Sequence, residues 1–308
     1  MRIWWENVNF DRNNGPNSFA QKLVKQLDKK GHSNSMKDIS KKPDAMMCFI
    51  ESRRENLSKA FGHDDIPLLL RLDGIYFNTR GDWKNQNTNI KRTYHGSQGI
   101  VFQSNFAKKV ITHYFGEHPN TAVIQNGADI EYIDQIKPLE APFLDKYEDI
   151  WTCCADWRPH KRLKDNVNYF LEYSGPNDLL VVAGKPPDDA PKHERVMYIG
   201  HVDPAQLYSL YKRSRYFIHL AWLDFCPNVV VDARACGCQV ICTSSGGTPE
   251  IAGKDAIVIE QEPWDLKPMD LYDPPPLDFS KKIENKWDLG YDMESVAIKY
   301  EKFIESVV

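Results

Sequence analysis

Short apolar runs alternate with segments of helical periodicity along the first part of the chain. Apolar runs occupy residues 2–5, 45–50, 67–72, 99–103 and 122–124, and helices are predicted over residues 18–30 and 105–115. This alternation is typical of a parallel sheet built from βα units. Residues 18–21 fit a capping box and Gly31 follows the last turn, so we expect the first helix to begin near Gly15.

A second series of the same kind begins at residue 150. Strands are predicted over residues 150–154, 179–183, 196–199, 216–220 and 239–243, and helices over residues 162–173, 204–213 and 227–236. The series predicts a second α/β domain. After it, the proline-rich residues 262–278 are expected to run along the surface, and residues 293–308 to form an amphipathic helix with Val296, Tyr300, Phe303 and Ile304 inward.

The composition is that of a globular protein in water. The 308 residues are 42% hydrophobic and 27% charged, which allows two domains with a core each. No apolar run approaches the roughly 18 residues of a membrane span, and the N-terminus lacks the apolar segment of a signal peptide. We expect a cytoplasmic protein, with a location at the membrane surface as the alternative.

The seven cysteines mostly sit within or beside apolar runs rather than in spaced pairs of metal ligands. A zinc site built on Cys236 and Cys238 lacks a second pair of ligands at suitable spacing. We therefore expect reduced, mostly buried thiols, and neither a bound metal nor another cofactor.

Charge is distributed unevenly along the chain. Residues 1–116 hold 19 Lys and Arg against 11 Asp and Glu, whereas residues 117–308 hold 20 against 32. Clustered positive charge concentrates polyanions or anionic lipids, so an anionic partner is one interpretation and a merely solvated surface is the other. The candidate contacts for a polyanion are Lys22, Lys25, Lys29, Lys30, Arg53, Arg54, Lys108 and Lys109.

Residues 221–250 carry the most informative motif. Pro227 suits the first position of a helix and Gly237 suits its stop. The backbone N–H groups of Asn228, Val229 and Val230 would then have no partner within the helix and could hold a phosphate.

Two aspartates bracket this predicted phosphate-binding turn. Asp224 precedes the helix, and Asp232 lies one turn beyond Asn228 on the same face. A carboxylate accepts hydrogen bonds from paired hydroxyls, so one aspartate could bind a sugar and the other a ribose. The alternative is structural, with Asp224 as a helix cap and Asp232 as a surface charge.

With this motif the chain resembles the retaining glycosyltransferases of the family 4 type, the glycosyl transferases group 1. That family carries two glutamates separated by seven residues, then a helix end, a strand and a Gly-Gly-x-x-Glu turn. Asp224 and Asp232 stand in the glutamate positions, and residues 246–250 match the turn. Weaker matches follow in the same order as in the family, at residues 102–109, 124–129, 182–184 and 198–203.

The resemblance implies an α/β chain of two Rossmann-like α/β/α domains that face a central cleft, the GT-B architecture. We expect an acceptor-side domain over residues 1–148, a nucleotide-sugar-binding domain over residues 149–290, and a helix at 291–308 that returns to the first domain. The donor would be a UDP-sugar, with a GDP-sugar as the alternative. The expected donor-binding residues are Gly15, Gly184, His201, Val202, Phe225, Cys226, Pro227, Asn228, Val229, Asp232, Gly246, Gly247 and Glu250.

The resemblance also implies catalytic residues. Lys161 matches a lysine that the family places on the donor diphosphate, and Arg158 and Arg162 compete for the role of its arginine. Fixed positive charge can stabilise a leaving diphosphate without a metal. A solvated basic turn is the alternative to this interpretation. Asp224 completes the set in the second domain, as a binding group.

In the first domain, many relatives carry a histidine near the donor sugar where this chain has Asp73 or Arg71. We predict Asp73 as catalytic and Arg71, Asn126 and Asp129 as acceptor-side residues. The alternative for Asp73 is a turn residue before Gly74, and a plain turn also explains Gly15.

The family's retaining reaction needs no protein nucleophile, so the aspartates are interpreted as binding groups rather than as a glycosidase pair. The acceptor would carry a hydroxyl on modified DNA or on a lipid-linked or anionic glycan, with a neutral acceptor as the alternative. Two rival functions remain at this point, a nucleotide-sugar 2-epimerase of the same fold and a degenerate sugar-nucleotide-binding module.

Overall fold

The computed structural model describes residues 1–11, 15–36, 40–52, 66–77 and 82–308. These residues form two compact units, the first made of Met1–Gly127 with Tyr291–Val308 and the second of Ala128–Gly290. Each unit is built around one sheet whose strands are parallel or mainly parallel, as predicted for an α/β protein.

The sheet of the first unit has the strand order β2-β1-β3-β4-β5-β6, and every neighbouring pair is parallel. All residues of β3 and β5 are buried, which requires cover on both faces of the sheet. The elements are β1 (Arg2–Glu6), α1 (Gly15–Lys29), β2 (Ser33–Ser35), β3 (Ala45–Phe49), β4 (Leu68–Leu72), α2 (Trp83–Gly96), β5 (Gly99–Phe102), α3 (Asn105–Phe115) and β6 (Thr121–Val123).

The predicted strands and the helix at 105–115 of this unit are confirmed, and two elements were missed. Both β2 and α2 are polar, and α2 buries only Ile90, Thr93 and Tyr94. The capping box at residues 18–21 was wrong, because α1 begins at Gly15 and Ser18 therefore lies inside the helix.

The second unit has the strand order β13-β12-β11-β10-β7-β8-β9, with only β13 antiparallel to its neighbour among the described strands. Alternate residues of β7 and β8 enter different clusters, since Trp151 and Leu180 pack in one and Ile150 and Leu179 in another. Its elements are α4 (Ile130–Gln135), β7 (Ile150–Cys154), α5 (Leu163–Tyr173), β8 (Leu179–Ala183), β9 (Val196–Gly200), α6 (Pro204–Arg213), β10 (Tyr216–His219), α7 (Asn228–Ala235), β11 (Gln239–Thr243), α8 (Thr248–Ala252), β12 (Ile257–Ile259) and β13 (Lys282–Ile283).

The last helix, α9 (Met293–Glu305), belongs to the first unit. Tyr300 and Ile304 share one hydrophobic core with Trp5 and Phe19, and the rings of Tyr300 and Phe19 lie 5.8 Å apart. Phe303, predicted to point inward, is only partly buried against this core. No helix in the described ranges is long and apolar enough to cross a membrane.

Candidate functional site

The turn after β7 presents Lys161. Residues Pro159–Lys161 form a short 3₁₀ turn, and Arg162 follows with a left-handed φ of 54° before α5 begins. Asn166 holds this backbone, because its side-chain amide donates to the carbonyl oxygens of Lys161 and Arg162 at 3.0 and 2.6 Å. These contacts offset the cost of positive φ at a non-glycine residue, about 1 kcal/mol.

Lys161 meets Asp224 and His219 where β10 ends. Lys161 Nζ donates to Asp224 Oδ2, and His219 Nε2 lies 3.0 Å from the same oxygen. The side chains of Lys161, Asp224 and His219 are 18%, 16% and 4% exposed, so the cluster is largely screened from water. The structure thus joins two predicted residues to His219, which the sequence analysis did not name although it is polar and ends an apolar strand.

The surroundings set the charges of this cluster. Burial alone would raise the pKa of the Asp224 carboxyl, but Lys161 and His219 hold that pKa well below its usual range. Burial lowers the pKa of His219 despite the neighbouring Asp224, and burial together with Lys161 lowers the pKa of His160 to about 3. At neutral pH Asp224 is therefore ionised and both imidazoles are neutral.

The two arginines that compete for the second diphosphate role have different surroundings. Arg162 is buried and donates to Gln261 Oε1 at 2.8 Å and to the carbonyl oxygens of Leu220 and Pro275. Arg158 is 43% exposed and pairs with the neighbouring aspartate two residues earlier at 2.7 Å. Arg162 therefore ties surrounding backbone together, whereas Arg158 is the guanidinium that a ligand can reach.

Residues 262–278 contain no regular helix or strand and many exposed side chains, as predicted for a surface segment. Part of this segment nevertheless covers the site, because the ring of Tyr272 stacks on His160 at 5.8 Å with an interplanar angle of 5°. The segment therefore helps to exclude water from the turn that carries Lys161.

Two glycines support the loop that carries Asp224. Gly247 N donates to the carbonyl oxygen of Asp224 at 2.7 Å. Gly246 has a φ of 79°, and a Cβ there would lie 2.5 Å from that carbonyl oxygen. Gly246 and Gly247, predicted to bind the donor, therefore have a packing role. Only glycine fits at position 246.

The start of α7 differs by one position from the prediction. Pro227 lies outside the helix as its N-cap, and α7 begins at Asn228. Val230 N already donates to the carbonyl oxygen of Pro227 at 3.1 Å, so its N–H group is not open to a ligand. Of the three predicted phosphate-binding N–H groups, that of Val230 is thus excluded.

Asp232 is a buried group rather than the surface charge of the alternative interpretation. It is 7% exposed, and Tyr208 donates its hydroxyl to Asp232 Oδ2 at 3.2 Å. Burial and the neighbouring Asp232 raise the pKa of Tyr208 well above its usual range, so this hydroxyl stays protonated and remains a donor. This carboxylate, predicted to bind the donor, therefore already has a hydrogen-bond partner on α6.

The remaining residues of the second unit that were predicted to bind the donor differ in their exposure. Gly184 follows β8 with a φ of 93°, and a Cβ there would lie 2.1 Å from the carbonyl oxygen of Ala155. His201 is exposed between β9 and α6, while Val202 is half-buried. Phe225 is half-buried, and Cys226 and Glu250 are buried.

Asp129, predicted as an acceptor-side residue, belongs to the second unit. Its side chain caps α4 by accepting from Tyr132 N at 3.2 Å. This capping role accounts for an aspartate at that position.

A second polar cluster lies in the first unit, where β4 and β5 end. Arg71 Nη1 donates to Asp73, and Arg71 Nη2 donates to Gln103 Oε1 at 3.0 Å and to Asn126 Oδ1 at 2.7 Å. Three of these residues, Arg71, Asp73 and Asn126, were predicted from the sequence. The structure places Asp73 and Asn126 on the guanidinium of Arg71.

The Arg71 guanidinium also lies over two aromatic rings, 4.2 Å from the centroid of Phe19 and 4.9 Å from that of Phe49. Burial raises the pKa of the Asp73 carboxyl, although Arg71 acts in the opposite direction. Asp73 Oδ2 is buried and accepts no hydrogen bond from the described residues. Gly15, predicted to approach the donor, is the exposed first residue of α1.

Several lysines of the basic first block lie on the surface. Lys29, Lys30 and Lys109 are exposed and Lys22, Lys25 and Lys108 are half-buried, while Lys30 pairs with Glu301 at 3.1 Å. Arg53 and Arg54 lie outside the described residues.

The cysteines are all free thiols, five of them buried. Within the described part of the chain, no group of three or more His, Cys, Asp or Glu side chains is arranged to hold a metal ion.

One family model matches part of the chain. Residues 158–267, which include Lys161, Asp224 and Asp232, match the family model described as glycosyl transferases group 1. A search of curated protein sequences finds no match.

Solved structures share the fold over most of the chain. The catalytic domain of starch synthase IV from Arabidopsis thaliana, bound to ADP and acarbose, has a TM-score of 0.69 at 12% identity, over 99% of each chain. Sucrose-phosphate synthase from Thermosynechococcus elongatus has a TM-score of 0.66 at 13% identity, over 88% of this chain and 87% of that one. The Anabaena protein HepE with UDP-glucose has a TM-score of 0.63 at 13% identity, over 85% and 86%.

Proposed function

We propose that the chain is a glycosyltransferase of the GT-B type, which transfers a sugar from a nucleoside-diphosphate sugar to a hydroxyl acceptor with retention of configuration. The observation that carries this proposal is the cluster of Lys161, Asp224 and His219 at the end of β10, close in sequence to the start of α7. It offers a cation for a diphosphate and an ionised carboxylate for sugar hydroxyls.

The leaving diphosphate is assigned to the basic turn and the helix start. Lys161 supplies an ammonium in a partly desolvated position, and Arg158 supplies the exposed guanidinium beside it. The first N–H groups of α7, at Asn228 and Val229, add dipoles that favour an anion. Positive groups fixed before the reaction stabilise the charge that develops on the diphosphate, so we propose that no metal is needed.

The sugar and the ribose are assigned to the two aspartates. Asp224 is ionised, and a carboxylate can accept hydrogen bonds from neighbouring hydroxyls. Asp232 would bind the ribose and share its carboxylate with Tyr208. Each aspartate reaches one methylene less far than the glutamate of the family pattern, which shifts the position of the bound donor.

A UDP-sugar is the favoured donor, with a GDP-sugar as the alternative. HepE, which shares the fold, was solved with UDP-glucose, whereas starch synthase IV was solved with ADP. A donor panel that includes UDP-glucose, GDP-mannose and ADP-glucose separates these nucleotides.

On the acceptor side, we assign Asp73 to the attacking hydroxyl. Arg71 fixes one oxygen of this carboxylate, and the other has no donor among the residues that the structure describes. A retaining transfer in which the diphosphate oxygen takes the proton requires Asp73 only to bind and orient the hydroxyl, with Asn126 as its neighbour on the same guanidinium.

We further propose an anionic acceptor, modified DNA or an anionic glycan, because residues 1–116 carry an excess of eight positive charges. Exposed Lys109 can contact a phosphate, whereas Lys30 is paired with Glu301. For a polyanion, the acceptor KM should rise steeply between low and physiological salt, because counterions are released on binding. A flat KM contradicts an anionic acceptor and leaves the donor assignments intact.

The function itself is tested by incubating the protein with each donor of the panel and a set of hydroxyl acceptors. We expect glycosylated product together with free nucleoside diphosphate. Release of an epimerised sugar without transfer would identify an epimerase instead, and donor binding without any turnover would identify a binding module.

A further inference from the structure

His219 occupies the innermost position of the donor cluster. It is the last residue of β10, its side chain is 4% exposed, and its ring lies parallel to that of Phe217 with centroids 6.2 Å apart and an interplanar angle of 12°. A rigid strand and a ring contact therefore hold the imidazole in place.

The protonation of His219 fixes the direction of its hydrogen bond. Burial keeps the imidazole neutral at pH 7, and an ionised carboxylate only accepts hydrogen bonds. The proton of the ring must therefore sit on Nε2, which donates to Asp224 Oδ2 at 3.0 Å.

Asp224 Oδ2 receives two donors, whereas the other oxygen receives none from the described residues. Lys161 Nζ and His219 Nε2 both donate to Oδ2, and no described residue donates to Oδ1. The proposed function assigns Lys161 to the diphosphate, so a bound donor competes with Asp224 for the same ammonium. Once Lys161 turns toward the diphosphate, His219 is the side chain that still holds Oδ2.

We propose that His219 is a positioning residue for the donor sugar, which holds Asp224 by Oδ2 so that Oδ1 accepts hydrogen bonds from the sugar hydroxyls. This inference rests on the proposed function of the same site. His219 touches neither the sugar nor the diphosphate and acts through Asp224. Loss of His219 should therefore weaken binding of a nucleoside-diphosphate sugar and not of the bare nucleoside diphosphate, because only the former carries the transferred sugar whose hydroxyls Asp224 would bind.

The test compares two amides in place of the imidazole. His219→Gln carries an N–H donor far enough along the side chain to reach Asp224, whereas the amide of His219→Asn is one methylene too short. The affinities for UDP-glucose and for UDP are measured by titration calorimetry on each full-length variant, with ADP or GDP and their sugars used instead if the wild type prefers them.

We expect His219→Asn to bind the nucleotide sugar on the order of tenfold or more weakly, since a hydrogen bond to a charged group is lost. Its affinity for the bare nucleoside diphosphate should stay within about twofold of wild type, and His219→Gln should recover most of the loss. Thr152→Val is the matched control, because it removes a buried hydrogen bond to Ser214 from the neighbouring strand without touching Asp224.

A double-mutant cycle with Asp224→Asn adds a readout that a purely structural role would not change. If His219 acts through Asp224, His219→Asn should cause little further loss in the Asp224→Asn background. If His219→Asn does not fold, the cycle is run with His219→Phe, whose ring keeps the contact with Phe217.

Equal losses for nucleotide sugar and nucleotide, additive effects in the cycle, or no loss in a folded variant would each overturn the role of His219. Failure of the wild type to bind any nucleotide sugar would instead overturn the proposed function, and this inference with it.

Discussion

The two polar clusters of this chain hold their charges in different ways. In the first unit, Arg71 is 1% exposed and donates to three side chains. In the second unit, Lys161 is 18% exposed and donates to one carboxylate. A guanidinium with several fixed partners forms a frame, whereas an ammonium on a flexible stem can exchange one partner for a ligand. Arg71 therefore fixes the geometry of its site, whereas Lys161 can contact a substrate.

The largest effect is expected from removing the Arg71 guanidinium. Arg71→Met leaves Asp73 buried without its cation and should lower the free energy of unfolding by about 3–5 kcal/mol, measured by urea denaturation. Arg158→Met removes an exposed ion pair and should change that free energy by less than about 1 kcal/mol. Adding Asp73→Asn should recover part of the loss in Arg71→Met. Equal, small effects of both arginine substitutions would show that Arg71 contributes no more to stability than an exposed ion pair.

Lys161→Ala should affect activity more than stability. Removing the ammonium from the leaving diphosphate should lower kcat/KM for the donor by on the order of 2–4 kcal/mol in transition-state stabilisation. Lys164→Ala is the matched control, since that lysine is 65% exposed and pairs with Asp189 away from the cluster. An unchanged kcat/KM in Lys161→Ala would remove this residue from the diphosphate site.

The buried histidine beside Lys161 should make stability depend on pH. The pKa of His160 is about 3 in the folded chain against about 6.5 when unfolded, so only the unfolded state takes up the proton between these values. His160 should therefore lower the free energy of unfolding by about 1.4 kcal/mol per pH unit well below pH 6.5, and the buried His219 should add to this fall.

His160→Phe keeps a ring against Tyr272 and removes this titration, so its unfolding free energy should decline less steeply between pH 7 and pH 5. Thr152→Val, which removes a buried hydrogen bond and no ionisable group, should keep the wild-type slope. Parallel slopes for wild type and His160→Phe would show that His160 is not a buried neutral group.

The smallest effect is expected from metal removal. If Lys161 and the start of α7 neutralise the diphosphate, treatment with EDTA should leave turnover unchanged, because side chains and backbone dipoles supply the positive charge. Addition of Mg²⁺ or Mn²⁺ after EDTA serves as the control. Turnover that is lost and returns only with the metal would contradict a metal-independent transfer.

Much of the fold could be predicted because its strands are apolar and its longer helices are amphipathic. The elements that escaped prediction are short or polar, such as β2 with three polar residues and α2 with few buried side chains. Their places are set by pairing with β1 and by packing against the sheet. Periodicity within a short window does not contain this information.

The candidate site, too, could be predicted only in part from the sequence. Lys161 and Asp224 stand out in sequence motifs, but the role of His219 depends on the loop at Leu223, which has a φ of 55°. The frame around Arg71 joins residues up to 55 positions apart, which no local pattern reveals. Contacts between distant segments arise only after the strands have paired, so these parts had to be read from the structure.

The central claim is that the second unit binds a nucleoside-diphosphate sugar through Lys161, and titration calorimetry of the wild type with UDP-glucose, GDP-mannose and ADP-glucose tests it most directly. We expect saturable binding of one of these donors. That binding should weaken on the order of thirtyfold or more in Lys161→Ala, as expected for loss of about 2 kcal/mol, and stay unchanged in Lys164→Ala. Absence of binding to all three donors, or equal affinities of wild type and Lys161→Ala, would contradict it.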